Sequence, residues 1–309
     1  MLARVYNRGK DLSLKARSLW LRYPLRSQDN TKKFPPFFIM GSGRSGTTVL
    51  RKLLQQNPQV IIPPESGDLL RKSIKAYIKF NSNSWTRLVD DIVKMWEDNS
   101  EFKYWGIEGR IPRDSLKHLP GPKRTLESII NHIYFIYACQ HKPLATMWGD
   151  KTPYATFGLP WIRKLYPDGY VIHMLRDGRD VISSCLKHNI CKSVQEASAR
   201  WNQTVDILSK PHSNMKLITV RYEDLVSDTQ SQLRRLEQFL NLDHGHYREY
   251  LTNNPNDIYL GDDHFLHHAN LSRPIFTESI GSWKNALSTR EIELMTRLIS
   301  PNLKKLGYA

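Results

Sequence analysis

Short, wholly apolar runs alternate with helix-patterned stretches through the middle of the chain. The first run, 37–40, contains no polar residue and ends at a glycine, which is typical of a strand buried on both faces of a sheet. Pairs of apolar residues then recur at helical spacing and predict a helix that begins near Thr47. Further runs of this kind predict four more strands, at 60–62, 144–148, 170–175 and 216–221.

Helical patterns fill the spaces between these runs. Residues 67–142 are predicted to be mainly helical with breaks at 106–122, and further helices are predicted to begin near Arg176 and to cover 227–239. Strands that alternate with helices form a parallel sheet with helices on both faces. The pattern therefore predicts an α/β fold with a central parallel sheet flanked by helices.

Polar residues follow each predicted strand within three positions. Parallel sheets bind ligands at the carboxyl ends of their strands, so residues at these five points are expected to converge on one cleft. They are the glycine-rich loop after Met40, and then Glu65, Lys151, Arg176 and Tyr222.

The glycine-rich loop, 41–48, has the spacing of a phosphate-binding loop between a strand and a helix. Glycines let the backbone turn sharply and point its N–H groups inward, and the start of the following helix adds positive potential. Strand, loop and helix in this order indicate a P-loop NTPase-like, three-layer fold. The residues predicted to surround the anion are Gly43, Arg44, Ser45, Gly46, Thr47 and Thr48.

One departure from the nucleoside triphosphatase pattern is informative. That pattern places a lysine after the second glycine, where it reaches the β- and γ-phosphates. Here Gly46 is followed by Thr47, and the cation lies inside the loop at Arg44. The loop therefore suits a ligand without a γ-phosphate.

Composition and charge limit the classes of partner. The chain of 309 residues has a formal net charge of +15, which favours anionic ligands. The three cysteines are few and odd in number, which does not suit a disulfide framework. A reducing, cytoplasmic compartment is therefore expected. No apolar run approaches the roughly 18 residues of a membrane-spanning helix. The first 30 residues lack the continuous apolar stretch of a secretory signal, so a signal anchor is not expected.

A basic segment precedes the predicted domain. Residues 1–33 carry nine Lys or Arg against two Asp, with apolar residues between them, and Pro35-Pro36 closes the segment. It is predicted either to lie as an amphipathic helix on an anionic membrane surface or to form a solvated arm or a helix packed on the domain. We therefore divide the chain into a basic N-terminal segment over 1–34, for which a helix is one predicted form, and a globular domain over 35–309.

Four segments together resemble one known family. The segments 38–48, 176–184, 220–225 and 281–287 are similar to motifs of sulfotransferases that depend on 3′-phosphoadenosine-5′-phosphosulfate (PAPS). The Arg-Ser-Gly-Thr-Thr form of the loop resembles the tyrosylprotein, carbohydrate and related bacterial enzymes. The resemblance extends over 36 to about 300 and implies transfer of a sulfuryl group to an acceptor hydroxyl. PAPS would be the co-substrate, 3′,5′-bisphosphoadenosine (PAP) the product, and no metal would be needed.

The resemblance also implies a donor site. Arg176 and Ser184 correspond to the pair that binds the 3′-phosphate, and Ser183 is the adjacent alternative to Ser184. An arginine fork suits a phosphate because it can donate two charge-assisted hydrogen bonds. The remaining residues implied to contact the donor are Tyr222, Arg273, Ser279 and Lys284.

Glu65, Arg44 and Lys151 are the catalytic candidates. Glu65 follows two prolines and resembles the catalytic glutamate of the tyrosylprotein enzymes, so it would take the acceptor proton; the alternative is an acid favoured by a helix N-terminus. Arg44 and Lys151 would stabilise the charge that builds on the leaving phosphate. The tyrosylprotein enzymes usually carry an arginine two residues after the glutamate, whereas Gly67 stands here.

Several alternatives remain open from the sequence. The chain could be a P-loop nucleotide kinase or hydrolase, or a basic anion-binding protein without catalysis. Nucleic acid is not expected as a partner because no recognised nucleic-acid motif is present. A histidine cluster near 262–268 fits no standard zinc spacing, so no metal is expected. The acceptor is open among a glycan, a lipid, a tyrosine and a small alcohol.

Overall fold

The computed structural model describes residues 14, 18, 20–27, 34–210, 215–243 and 278–308. Within these residues one sheet is built from β1 (Pro36–Gly41), β2 (Val60–Ile61), β3 (Met147–Lys151), β4 (Tyr170–Leu175) and β5 (Lys216–Arg221). Its order is β2-β3-β1-β4-β5, and every pairing is parallel.

Strand β1 lies at the centre of this sheet, between β3 and β4. Its side chains alternate between the two faces, as the pleat of a strand requires. Phe37 and Ile39 enter one apolar cluster, Phe38 and Met40 enter another, and all four are fully buried. The uninterrupted apolar run is thus explained by helices on both sides of the strand.

Helices cover both faces. Helices α1, α9 and α10 pack on the face that carries Phe37, helices α2, α3, α5 and α6 pack on the face that carries Phe38, and α7, α8 and α12 share a third cluster with Leu175. The predicted α/β fold with a central parallel sheet and flanking helices is confirmed. The helices are α1 (Thr47–Leu54), α2 (Leu69–Phe80), α3 (Trp85–Glu97), α4 (Asp114–Lys117), α5 (Leu126–His141), α6 (Leu159–Leu165), α7 (Gly178–Lys187), α8 (Val194–Leu208), α9 (Tyr222–Ser227), α10 (Thr229–Leu240), α11 (Trp283–Ala286) and α12 (Thr289–Leu306).

The boundaries of the third strand were predicted wrongly. The sequence favoured 144–148, but Leu144 is 81% exposed and the strand runs over Met147–Lys151. Its polar end, Asp150 and Lys151, is almost completely buried because both side chains find partners from other parts of the chain. Lys151 is therefore the last residue of a strand rather than part of the turn after it.

The last predicted helix also differs from the structure. It was expected over 227–239, but the chain is already helical in α9, directly after β5. Helix α10 then begins at Thr229, where the carboxylate of Asp228 caps it by accepting from the Ser231 N–H at 3.1 Å. The short helix was missed because its six residues are too few to show a periodic pattern.

The described part of the N-terminal segment packs on the domain. Tyr23 and Asn81 exchange two hydrogen bonds of 3.0 Å, and the Tyr77 hydroxyl donates to the Pro24 carbonyl at 3.2 Å. Most of the predicted basic segment lies outside the described residues. Among the helices that are described, none is long and apolar enough to cross a lipid bilayer.

Candidate active site

The loop between β1 and α1 adopts the conformation that an anion cradle requires. Arg44 and Gly46 have φ values of 70° and 91°, in the left-handed region that turns successive N–H groups to one side. A side chain at Gly46 would place its Cβ 2.4 Å from Cδ2 of Tyr222, whereas a Cβ at Gly43 would meet nothing within 4 Å. Helix α1 begins at Thr47 without a side-chain cap, so its first N–H groups face the loop.

The predicted hydroxyls of this loop lie inside the molecule. Ser45, Thr47 and Thr48 are all buried. The hydroxyl of Thr48 accepts a hydrogen bond from the Lys151 ammonium at 3.1 Å, which joins the start of α1 to the end of β3. Two of the predicted strand-end groups therefore meet at the loop.

Arg44 extends from the loop toward α7. Its Nε donates to the Ser184 Oγ at 3.1 Å. Burial lowers the pKa of the Arg44 guanidinium, and the nearby charge of Arg176 acts in the same direction. An arginine starts so far above neutrality that it stays protonated, so a half-buried cation and a buried cation lie near each other and together favour an anion.

Arg176 is the second cation of the cleft and is 8% exposed. Its NH1 donates to the Arg44 carbonyl at 3.1 Å and its NH2 to the Ser279 carbonyl at 2.7 Å. The guanidinium lies 4.3 Å from the centroid of the Tyr222 ring, and the Tyr222 hydroxyl is 2.7 Å from the Ser279 Oγ. The Arg176 Nε is buried and has no hydrogen-bond partner among the described residues.

Glu65 and Lys151 form an ion pair at the other side of the loop. The Lys151 ammonium, only 1% exposed, donates to the Glu65 Oε1 at 2.5 Å. The Glu65 side chain is 30% exposed, so its carboxylate contacts a buried cation while part of the side chain stays open to solvent. The alternative interpretation of Glu65 as a helix N-terminal acid is wrong, because α2 begins only at Leu69 with Asp68 at its N-cap.

The structure brings most of the predicted site residues together, with two exceptions. Lys284 lies exposed in α11, with its ammonium 5.9 Å from the Trp283 ring centroid. Arg273 lies outside the described residues, as does the histidine cluster near 262–268. In the part of the chain that is described, no three His, Cys, Asp or Glu side chains are placed to hold a metal ion.

Asp180 organises the site and was missed by the sequence analysis. Its carboxylate accepts from the Gly281 N–H at 2.8 Å, and from the Ser282 hydroxyl and the Trp283 N–H, both at 3.1 Å. Asp180 thereby holds the C-terminal segment that carries Ser279 against α7. The sequence offered only a charged residue next to Arg179, which is equally typical of a surface ion pair.

A comparison with protein-family models gives one match. The model described as "Sulfotransferase family" matches residues 35–246 of this chain. This range contains the glycine-rich loop, the Glu65 and Lys151 pair, and the segment that begins at Arg176.

Curated proteins with similar sequences include enzymes from a nematode and a fish. Protein-tyrosine sulfotransferase A of Caenorhabditis elegans is 22% identical over 303 residues, which cover 92% of this chain and 70% of the relative. Protein-tyrosine sulfotransferase 1 of Danio rerio is 23% identical over 293 residues, which cover 90% of this chain and 73% of the relative.

Among solved structures, the sulfotransferase domain from the Synechococcus PCC 7002 olefin synthase has a similar fold. The TM-score is 0.52 at 20% identity, and the match covers 87% of this chain and 96% of that domain. The similarity concerns the arrangement of the sheet and its helices.

Proposed function

The chain belongs to the sulfotransferase family as a PAPS-dependent enzyme, and we propose that Glu65 is its catalytic base, with Arg44 and Lys151 stabilising the leaving phosphate. The family, the reaction and the co-substrate that the sequence motifs implied are confirmed. The alternatives of a nucleotide kinase or hydrolase and of a non-catalytic anion-binding protein are set aside by the same family match.

The single observation that carries the proposal is the position of the Lys151 ammonium. It lies 2.5 Å from the Glu65 Oε1 and 3.1 Å from the Thr48 Oγ1, at the start of the helix that follows the glycine-rich loop. Lys151 thus lies between the proposed base, Glu65, and the glycine-rich loop proposed to bind the leaving phosphate. These are the two groups that in-line transfer must bring to opposite sides of the sulfur.

The glycine-rich loop is proposed to bind the 5′-phosphate side of the donor. The left-handed conformations of Arg44 and Gly46 and the uncapped start of α1 supply backbone N–H donors. The hydroxyls and N–H groups proposed to surround this phosphate belong to Gly43, Arg44, Ser45, Gly46, Thr47 and Thr48.

The 3′-phosphate is proposed to lie against Arg176 and Ser184. The buried Nε of Arg176 has no partner among the described residues, and the Ser184 hydroxyl is 3.1 Å from Arg44. Tyr222 and Ser279 contact each other beside Arg176 and complete this end of the cleft. Lys284 and Arg273 are proposed to reach the donor from the C-terminal segment.

The proposed reaction balances without a metal. The acceptor oxygen forms a bond to sulfur while the bond between sulfur and the 5′-phosphate oxygen breaks. The acceptor proton passes to the Glu65 carboxylate, and the electron pair of the broken bond stays on the phosphate of PAP. Arg44 and Lys151 stabilise that negative charge, because preorganised cations in a water-poor site act most strongly where charge develops.

The acceptor is proposed to be a tyrosine hydroxyl. The support is that two relatives named as protein-tyrosine sulfotransferases align with 90% or more of this chain. Gly67 stands where the enzymes it resembles usually carry an arginine, and a Cβ there would lie 3.4 Å from the Glu101 Cγ. We therefore expect the preferred peptide sequence of this enzyme to differ from theirs.

The catalytic domain is proposed to be 35–309, and the basic segment 1–34 is proposed to contact a membrane surface. Nine Lys or Arg in residues 1–33 support contact with an anionic membrane surface. All three cysteines are free thiols, which supports a cytoplasmic location. Co-sedimentation of the full chain with vesicles of phosphatidylserine and phosphatidylcholine, compared with phosphatidylcholine alone, tests the membrane contact.

The role of Glu65 is tested by the Glu65→Gln variant. We expect PAP to bind with unchanged affinity, while transfer of labelled sulfate from PAPS to a tyrosine-containing peptide falls by about 100-fold or more. Glu108→Gln, on the exposed surface, is the matched control and should keep the wild-type rate. A wild-type rate in Glu65→Gln would show that another group takes the proton. A panel with a glycan, a lipid alcohol and a small alcohol tests the acceptor class.

A further inference from the structure

Glu65 occupies a stretch of chain without regular structure, between the end of β2 and the start of α2. Two prolines precede it, and Gly67, at φ 58°, turns the chain toward α2. A carboxylate on such a stretch is not held by a ladder of backbone hydrogen bonds. Its position against Lys151 therefore depends on side-chain contacts nearby.

Those contacts come from three consecutive residues at the end of β3. Lys151 donates to the Glu65 carboxylate at 2.5 Å. On either side of it, the Asp150 Oδ2 accepts from the Ser66 hydroxyl at 2.7 Å, and the Thr152 Oγ1 accepts from the Ser66 N–H at 3.2 Å. Two adjacent residues of the loop are thus fixed to the last two residues of β3 and to Thr152, which follows them.

The two sets of contacts lie on opposite faces of the sheet. Neighbouring side chains of a strand point in opposite directions, so Lys151 reaches Thr48 in α1 while Asp150 reaches Tyr134 in α5. Ser66 contacts Asp150 on one face of the sheet, and Glu65 contacts Lys151 on the other. Because the loop is held from both faces, it cannot rotate about its own axis without breaking one set of hydrogen bonds.

Asp150 is itself held in place by Tyr134 of α5. The Tyr134 hydroxyl donates to the same Oδ2 at 2.6 Å, and the Tyr134 ring stacks on Trp148 with centroids 3.7 Å apart. Ser66, Asp150 and Tyr134 are at most 2% exposed. Burial raises the pKa of the Asp150 carboxyl, and the hydrogen bonds from Tyr134 and Ser66 offset part of that effect.

Burying a carboxylate costs desolvation free energy, so a gain in stability does not by itself explain why Asp150 is buried. Apolar residues of similar volume usually serve a core at least as well as buried charged groups do. Tyr134, Asp150 and Ser66 form a buried chain of hydrogen bonds. Such a chain is better explained by the position it gives to the residue next to Ser66, which is Glu65.

We propose that Tyr134, Asp150 and Ser66 form a positioning chain that sets the Glu65 carboxylate against Lys151 for proton removal. The inference rests on the proposed role of Glu65 as the base. None of the three residues takes part in proton or sulfuryl transfer. They act through the direction in which Glu65 faces the cleft, and misplacing a reacting group by about 1 Å can reduce a rate about 100-fold.

The test uses Ser66→Ala and Tyr134→Phe, each of which removes one hydroxyl of the chain. The rate of PAP formation from PAPS is measured with a tyrosine-containing peptide, so that transfer to water is counted as well. We expect kcat to fall by about 10- to 100-fold in both variants, with the affinity and stoichiometry of PAP binding unchanged. Ser66→Thr, which keeps a hydroxyl at the same position, should restore most of kcat.

Ser73→Ala is the matched control. The Ser73 hydroxyl is equally buried and accepts from the Trp96 Nε1 at 2.8 Å, so its hydrogen bond goes to a ring that packs on Tyr134 and not to Asp150 or Thr152. It should lower the melting temperature without lowering kcat per PAP-binding site. A merely structural role for Ser66 would give the same result as Ser73, with fewer binding sites and a normal kcat per site.

Three results would overturn the positioning chain. They are a wild-type kcat in both Ser66→Ala and Tyr134→Phe, a loss of kcat matched by an equal loss of PAP-binding sites, and a failure of Ser66→Thr to restore activity that Ser66→Ala has lost. Failure of the proposed base is distinguishable, because it appears as a wild-type rate in Glu65→Gln. If Glu65→Gln is inactive and the chain variants are normal, only the positioning inference is wrong.

Discussion

The Nε of Arg44 donates to the Oγ of Ser184 at 3.1 Å, so the glycine-rich loop and helix α7 are in direct contact. The two residues are 140 positions apart in the chain, and each belongs to a different motif. Arg44 belongs to the motif proposed for the 5′-phosphate and Ser184 to the motif proposed for the 3′-phosphate. One hydrogen bond therefore connects the two proposed phosphate sites.

The first prediction concerns this contact. Ser184→Ala removes both the partner of Arg44 and a proposed donor to the 3′-phosphate, so PAP affinity should fall about tenfold. The adjacent Ser183, which is also buried, provides the control: Ser183→Ala should bind PAP as the wild type does. Calorimetric titration measures both. The opposite pattern, with Ser183 as the sensitive position, would transfer the phosphate contact to that residue.

The second prediction uses two glycines of the same loop. Gly46→Ala should destabilise the fold and abolish PAP binding, because a Cβ there lies 2.4 Å from the Tyr222 ring at a φ of 91°. The left-handed conformation alone costs an L-residue about 1–2 kcal/mol. Gly43→Ala, where a Cβ meets nothing within 4 Å, should fold normally. Thermal unfolding of the two variants compares them directly, and equal melting temperatures would contradict the loop geometry.

A third prediction concerns Lys142, at the end of α5. Its ammonium donates to the carbonyls of Gln55, Asn57 and Val60 at 2.6, 2.7 and 2.9 Å, and so joins the end of α5 to the turn before β2 and to the first residue of β2. Lys142→Met leaves three carbonyls without this donor and should lower the free energy of unfolding by about 2 kcal/mol. Lys123→Met, at an exposed position, should change it little. Denaturant titration gives both values, and similar losses would remove the special role of Lys142.

The pH dependence of stability provides a fourth prediction. Burial lowers the pKa of His173 to about 4, from an ordinary value of 6.5. Between these two values the unfolded chain binds more protons than the folded chain, so stability falls as the pH drops through this window. The contribution of one group is at most about 1.4 kcal/mol per pH unit. His173→Gln should therefore give a shallower loss of unfolding free energy below about pH 6.5, and parallel curves for variant and wild type would contradict this.

The donor side of the site could be predicted from the sequence because its parts are contiguous. A strand, a glycine-rich loop and a helix follow one another in 36–54, and Arg176 directly follows β4. The contact of Arg176 with Tyr222 follows from the convergence of strand ends in a parallel sheet. The donor side could thus be predicted mostly from residues that are close together in the sequence.

The acceptor side depended on contacts that no local pattern displays. The sequence placed Lys151 after the third strand rather than in it, because Asp150 and Lys151 are polar and Leu144 is apolar. Their burial becomes understandable only through Tyr134, Ser66 and Glu65, which lie 16 to 86 positions away. Asp180 was missed for the same reason, since its partners are about 100 positions further along the chain.

The central claim is that the cleft is built to hold a nucleotide with phosphates at both its 3′ and 5′ positions. Calorimetric titration of the full chain with PAP and with AMP tests it most directly, because the two ligands differ only in the 3′-phosphate. We predict that PAP binds about 100-fold more tightly than AMP, and that Arg176→Lys removes most of this difference by replacing the guanidinium fork with a single ammonium. Equal affinity of the wild type for PAP and AMP would contradict the account.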